Sequence, residues 1–232
     1  MDLDSGPAVV LVNRGLLKVK DSVAATLRDE IIKGRLQPGD RVVEGKWAKT
    51  LGVAQSSIRD AINTLAGEGF LVKGSSRSAT VTLLTPEDVN QIYRLRAVLE
   101  GLSARLIVER SADLADLELL VEDMRAAVAC KNIQAFYDRD LRFHLLICEK
   151  AGNKYLEQDL RRLLVPLFAF VIIRVHGRDD NPETWRLSIA QHEQLLEAIR
   201  SQDPDVAERQ ARAALSEFFH GTDALLQRQA IS

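Results

Sequence analysis

Between Glu44 and Leu83 the chain carries a succession that few folds accommodate: two short helical patterns joined by a glycine, then two strand-like runs around a polar turn. In the second helical pattern Ile58, Ile62 and Leu65 recur at helical spacing, while Gln55, Ser56, Ser57, Arg59 and Asn63 fall on the other side. One face is built for burial and the other for hydrogen bonding. The first pattern, Glu44 to Leu51, has Trp47, Ala48 and Leu51 as apolar contacts and ends at Gly52. Together they predict a helix-turn-helix. Phe70 to Lys73 and Ala79 to Leu83 flank the turn Gly74-Ser75-Ser76-Arg77-Ser78 and predict a hairpin, the wing of a winged helix.

Upstream, Val23, Leu27 and Ile31 recur every four residues and mark a first helix stopping at Gly34. Pro38-Gly39 turns the chain into a short strand near Arg41 to Val43. Residues 21–84 thus read as one winged helix-turn-helix domain. Residues 1–20 form an arm in which Arg14, Lys18 and Lys20 alternate with Leu11, Leu16, Leu17 and Val19. This arm either packs on the next domain or follows the backbone of a nucleic acid.

The run LRDEIIKGRLQPGDRVVEGKWAKTLGV followed by SSIRDAINTLAGEGFLV resembles the DNA-binding domain of GntR-type bacterial transcription regulators. The resemblance covers Val23 to Leu83 and is carried by Gly34-Arg35-Leu36, Pro38-Gly39, Leu51-Gly52-Val53 and Ile58-Arg59-Asp60-Ala61. It implies binding to double-stranded DNA at a palindromic operator, with Gln55, Ser56, Ser57 and Arg59 at the base-contacting positions. Arg paired bidentately with guanine, and Gln with adenine, are the strongest readers of the major groove. The alternative for Arg59 is a surface salt bridge with Asp60 or Asp29. Lys46 and Arg77, with Lys49 and Lys73, are candidate phosphate contacts.

Departures from the family pattern matter as much. Ala54 stands where Ser or Thr is usual and Gln55 where Arg is usual, so Ser56 or Ser57, the latter with Asp60 three residues on, is expected to cap the helix. Gly45 replaces a common basic side chain, and Ser78 a common wing glycine. Operator preference should accordingly differ from that of relatives carrying Arg at position 55.

With 232 residues and 46% apolar content the chain is long enough for two domains with separate cores. Its net charge of −2 does not announce a nucleic-acid binder, but the distribution is uneven. Residues 1–83 hold 12 Lys and Arg against 9 Asp and Glu, whereas 84–232 hold 19 against 24, as expected if only the front meets phosphate. Cys130 and Cys148 have no metal or redox spacing, which argues against a disulfide framework and for a reducing, cytoplasmic location. Asp2 and Asp4 precede the first apolar run, the wrong charge order for a secretory signal, and no apolar stretch approaches a membrane span.

The second domain is expected over 85–232. Thr85-Pro86-Glu87-Asp88 combines a capping residue, a proline suited to the first helical position and two early carboxylates. Helical periodicity then predicts segments at 86–110, 112–131, 133–151, 154–177, 182–201 and 204–228, with Pro166 kinking or dividing the fourth. The fold class is mainly α: a winged helix-turn-helix followed by an antiparallel bundle of six or seven helices. Ile92-Tyr93-Arg94-Leu95-Arg96, Leu99-Glu100-Gly101, Phe143-His144 and Ala151-Gly152-Asn153 resemble the FCD effector domain of the FadR subfamily. The resemblance implies a homodimer and a small-molecule effector, commonly a carboxylate.

Asp140 and His144 lie four residues apart on an apolar stripe, and His192 shares another with Ile189, Leu195 and Ile199. Buried unpaired, such groups cost several kcal/mol. In the resemblance these three match family metal ligands, while Phe218 stands at the fourth position and His220 points elsewhere. They either hold a divalent transition metal, with zinc, nickel and manganese the candidates, or form an Asp–His pair beside a core histidine. Arg174 and Arg96 also fall among apolar residues, and each wants an anion: an internal carboxylate, Glu100 for Arg96, or that of the effector. Arg96, Asp140, His144, Arg174 and His192 are thus the expected effector site.

Three classes compete. An effector-controlled, sequence-specific DNA-binding regulator explains both halves. A metal-dependent helical-bundle enzyme using Asp140, His144 and His192 lacks a nucleophile elbow, a phosphate loop and a base in an HExxH arrangement. A helical scaffold leaves the polar face from Gln55 to Arg59 without a purpose.

Overall fold

A computed structural model describes residues 19–74, 77–175 and 182–227, with side chains over 22–74, 77–174 and 185–216. Residues 1–18 of the N-terminal arm, the wing-tip residues 75 and 76, and the side chains of Phe218 and His220 lie outside this set. By contact the chain divides into two units, Met1–Leu83 with Ala169–Gly177, and Leu84–Phe168 with Arg178–Ser232.

The front unit runs α1 (Val19–Ile32), β1 (Arg41–Val43), α2 (Glu44–Leu51), α3 (Gln55–Gly67), β2 (Leu71–Lys73) and β3 (Ser78–Val81). Its antiparallel sheet has the order β1-β3-β2, with Val42 opposite Ala79 and Val72 opposite Thr80. Val23, Leu27 and Ile31 of α1 are fully buried, as are Ile58, Ala61 and Leu65 of α3. The apolar period of each helix therefore becomes its packing face. Gly52 caps α2 at φ 64°, a left-handed conformation that a residue with a Cβ resists. That turn sends the chain into α3. No side chain caps α3, whose flanking residue is Ala54, so the cap expected from Ser56 or Ser57 is absent. Helical geometry already begins at Gln55, which places both serines inside the first turn.

The rear unit is built from α4 (Pro86–Glu109), α5 (Ala115–Ala129), α6 (Ile133–Lys150), α7 (Lys154–Val175), α8 (Pro182–Arg200) and α9 (Pro204–Gln227), the end of α7 excepted. A reciprocal capping box opens α4: Thr85 Oγ1 accepts from the Asp88 amide at 3.1 Å, and Asp88 Oδ2 accepts from the Thr85 amide at 2.8 Å. Pro166 does not divide α7, which runs as one helix across it. Helix α4 packs along α9, and α5 packs on α6 and α8. Phe136 and Trp185 stack at 5.7 Å in a core that includes Ile107, Leu117, Met124, Phe143 and Ile147. Among the described residues no helix is long and apolar enough to cross a membrane.

Candidate functional site

The polar face of α3 is open. Gln55, Ser56, Arg59 and Asn63 are exposed and Ser57 is half-buried, because Ile58, Ile62 and Leu65 hold the opposite face in the core. Lys46, Lys49, Lys73 and Arg77 are exposed as well. Arg77 adopts φ 46°, and its carbonyl accepts from the Glu44 amide at 3.2 Å, which ties the wing to the start of α2. Arg59 pairs with neither Asp60 nor Asp29. Its Nε and Nη2 donate to the two oxygens of Glu44 at 3.0 and 2.8 Å, while Asp29 is taken by Lys33 and Arg35. Glu44 was missed as a partner, although its place on a stripe with Ala48 and Leu51 marks it as an acid on a buried face.

In the rear unit α4, α6 and α8 bring five ionisable side chains into one buried chain of contacts. Arg96 Nε donates to Glu100 Oε1 at 2.7 Å, and both side chains are 2% exposed. Glu100 Oε2 lies 2.7 Å from His144 Nδ1. His144 Nε2 lies 3.2 Å from Asp140 Oδ1, and His192 Nε2 lies 3.1 Å from the same oxygen. His192 Nδ1 stands 2.6 Å from the carbonyl of Ser188. A carbonyl can only accept, so that nitrogen carries a proton, and Nε2 is the ring atom that faces Asp140. Phe143, edge-on to His192 at 4.4 Å, and Phe168, 5.8 Å from His144, supply an apolar wall.

This arrangement fits a cation. Asp140 Oδ1 and His192 Nε2 are buried, and the polar side-chain atoms within reach of that oxygen are the two histidine Nε2 atoms, at 3.2 and 3.1 Å. A carboxylate oxygen facing two ring nitrogens in a low-dielectric interior needs something positive among them, either a proton on a ring nitrogen or a bound ion. Atoms coordinated at about 2.1 Å to one ion stand about 3.0 Å apart at a right angle and about 3.4 Å apart at the tetrahedral angle. Both Nε2 to Oδ1 separations fall in that interval, and the three ligand atoms all lie within 4.8 Å of one another. Charge points the same way: Arg96 neutralises Glu100, which leaves the Asp140 carboxylate to be balanced by a proton on His144 or by a bound ion.

Burial by itself would depress the His144 pKa, yet the Glu100 carboxylate, aided by Asp140, pushes it up to about 9. Burial would raise Glu100, but Arg96 and then His144 hold it near 2. Asp140 likewise resists burial and stays well below the usual carboxylate range through both histidines. The pocket favours positive charge, which a proton on His144 or a bound ion can supply. One turn along α6, Cys148 turns its thiol to the His144 carbonyl at 3.0 Å, and burial pushes its pKa up.

The structure therefore brings together Asp140, His144 and His192, with Arg96 two contacts removed through Glu100. Arg174 belongs to the other contact unit; it is half-buried with its guanidinium 5.0 Å from the Phe170 ring, and its buried Nε meets no acceptor. The site is assigned without it. Glu100 and the Ser188 carbonyl escaped sequence reading as partners of the histidines, since they are 44 residues and one helical turn away respectively.

A winged helix with an open polar reading face, in one chain with a helical bundle holding a buried cation-seeking pocket, defines a DNA-binding regulator with a sensing domain. Residues 19–81 match the bacterial regulatory proteins of the gntR family, and residues 91–217 match the FCD domain. The chain belongs to the GntR-type transcription regulators that carry an FCD domain, the FadR-type combination, and is not an enzyme. It is 27% identical to the gluconate operon transcriptional repressor of Bacillus licheniformis over 79% of this chain and 76% of that protein. It is also 27% identical to the Glc operon transcriptional activator of Escherichia coli, over 82% and 83% respectively. The solved structure of Escherichia coli McbR/YncC shares the fold with a TM-score of 0.66 and 23% identity, over 93% of this chain and 100% of that one.

Proposed function

We propose that this regulator binds a palindromic operator as a homodimer and that a carboxylate effector, held at a divalent ion on Asp140, His144 and His192, sets its affinity. The observation that carries the sensing half is the convergence of His144 Nε2 and His192 Nε2 on one buried oxygen, Asp140 Oδ1, at 3.2 and 3.1 Å. A bound divalent ion would supply a Lewis-acidic point for an anionic oxygen. The chain's own residues do the rest. Glu100 and Ser188 hold the two imidazoles by their Nδ1 atoms so that both Nε2 atoms are offered to the pocket, and Arg96 keeps Glu100 charged and in place. Arg96 is the cation that the bundle offers near this site for the effector's second oxygen. Zinc, nickel and manganese suit the nitrogen and oxygen donors. The kinship with a gluconate operon repressor supports a carboxylate.

The DNA half rests on the exposed α3 face, where Gln55, Ser56, Ser57 and Arg59 reach base edges while Lys46 and Arg77 hold phosphates. The uncapped N-terminus of α3 leaves backbone N–H groups for a phosphate oxygen. Dimerisation is supported by a stripe on α4, where Leu95, Val98 and Leu102 remain 46, 47 and 36% exposed at positions that share one helix face. A DNA-binding role in a bacterium carries a cytoplasmic location with it. Elemental analysis of protein purified without chelator, joined to an operator gel shift with and without chelator, tests the whole. Stoichiometric metal and a metal-dependent shift are expected; protein that holds no metal and takes up none would refute the ion.

A further inference from the structure

Gly45 has no local reason to be glycine. It lies in the first turn of α2 without a left-handed φ, where glycine weakens a helix relative to alanine. A Cβ placed on it would meet a single neighbour, Nε2 of Gln55 at 3.1 Å. The carboxamide of Gln55 thus lies over the bare backbone at position 45. Its neighbour Glu44 grips the other reading side chain. The Glu44 carboxylate, 7% exposed, takes the side fork of Arg59, Nε and Nη2, although Arg59 is 50% exposed. That leaves the end fork, the outer hydrogens of the two Nη atoms, free and fixed in direction, and this is the edge that pairs with O6 and N7 of guanine.

We infer that the dipeptide Glu44-Gly45 determines operator specificity without touching a base: Glu44 aims Arg59 at guanine, and Gly45 vacates the volume from which Gln55 reads its base pair. Both are positioning residues. The inference rests on the reading of α3 as the major-groove helix and adds to it which residues select the bases. An arginine held by a buried carboxylate loses less freedom on binding than a free one and cannot swing to an adjacent phosphate. A side chain at position 45 would displace the flexible, exposed Gln55 before it displaced any backbone.

The test is selection of binding sites from a random duplex library with the full-length protein and its variants. Gln55→Ala and Arg59→Ala identify the base pair that each side chain reads. Gly45→Ala should lower preference at the Gln55 base pair about tenfold, leave the other positions intact, and melt no lower than the parent. Glu44→Gln should lower guanine preference at the Arg59 base pair by a similar factor and have no further effect in an Arg59→Ala background. If Glu44→Gln weakens folding, Arg59→Lys gives the same reading, since lysine keeps the charge but has no fork to aim. Unchanged preferences in Gly45→Ala or Glu44→Gln, equal loss at every position, or a Glu44 effect that survives Arg59→Ala would each overturn the inference. A parent that selects no consensus would instead refute the reading of α3 itself.

Discussion

His192 Nε2 faces Asp140 Oδ1 across 3.1 Å, and on the far side of the ring Nδ1 donates to the backbone carbonyl of Ser188 at 2.6 Å. Zinc added to metal-free protein should therefore raise its melting point, and free metal at a hundredfold over Kd corresponds to about 2.7 kcal/mol. Asp140→Ala should abolish that rise. A calorimetric scan in which parent and variant respond equally to zinc would place the ion elsewhere.

The same pocket predicts a pH dependence. With its pKa pushed up to about 9 in the fold against an ordinary 6.5, His144 stabilises metal-free protein fully below pH 6.5. That contribution fades as pH climbs toward 9. Metal must expel this proton, so zinc affinity should move the opposite way and rise with pH over the same window. Urea melts of the apoprotein and zinc titrations from pH 6 to 9 would show the two opposed slopes, and His144→Gln should flatten both.

On DNA, Arg59→Ala should weaken specific binding roughly ten- to a hundredfold with the fold intact. Lys46→Ala should weaken all sequences alike and make the salt dependence shallower by about one phosphate contact. A gel-shift series at several salt concentrations separates the two, and identical salt slopes would remove Lys46 from the contact list.

Val98→Glu, at the centre of the exposed α4 stripe, should convert a dimer to monomer in sedimentation while leaving the helical signal unchanged. A variant that still sediments as the parent does would move the dimer interface off this face.

Thr85→Ala removes half of the capping box at the head of α4 and should cost about 1 kcal/mol in the rear unit's transition. Serine at the same position should restore nearly all of it, which distinguishes the cap from general packing.

Much of this architecture was legible in the chain because its punctuation is strong. Pro86, Pro182 and Pro204 open helices at the expected places, and the apolar periods of Val23-Leu27-Ile31 and Ile58-Ile62-Leu65 became core faces. What failed was local competition. A serine cap for α3 was inferred from chemistry alone, yet the chain enters helical geometry at Gln55 before either serine can serve. Of the two outcomes expected at Pro166, a kink or a division of α7, division is excluded, since one helix runs through it. The partnerships that matter most, Glu44 with Arg59 and Glu100 with His144, join residues on different helices, and sequence spacing does not encode such distances. Their signal was of another kind: each acid stands on an apolar stripe, where a carboxylate requires a partner.

The buried thiol beside the Asp140–His144–His192 pocket bears on stress. Cys148 sits one turn from His144, yet its sulfur is protonated, buried and turned to a backbone carbonyl, and the candidate ligands are all nitrogen and oxygen atoms. Peroxide attacks thiolates that solvent can reach. A pocket lined in this way offers an oxidant no accessible thiolate, so an ion held on Asp140, His144 and His192 would be retained under oxidative conditions that strip metal from cysteine ligands.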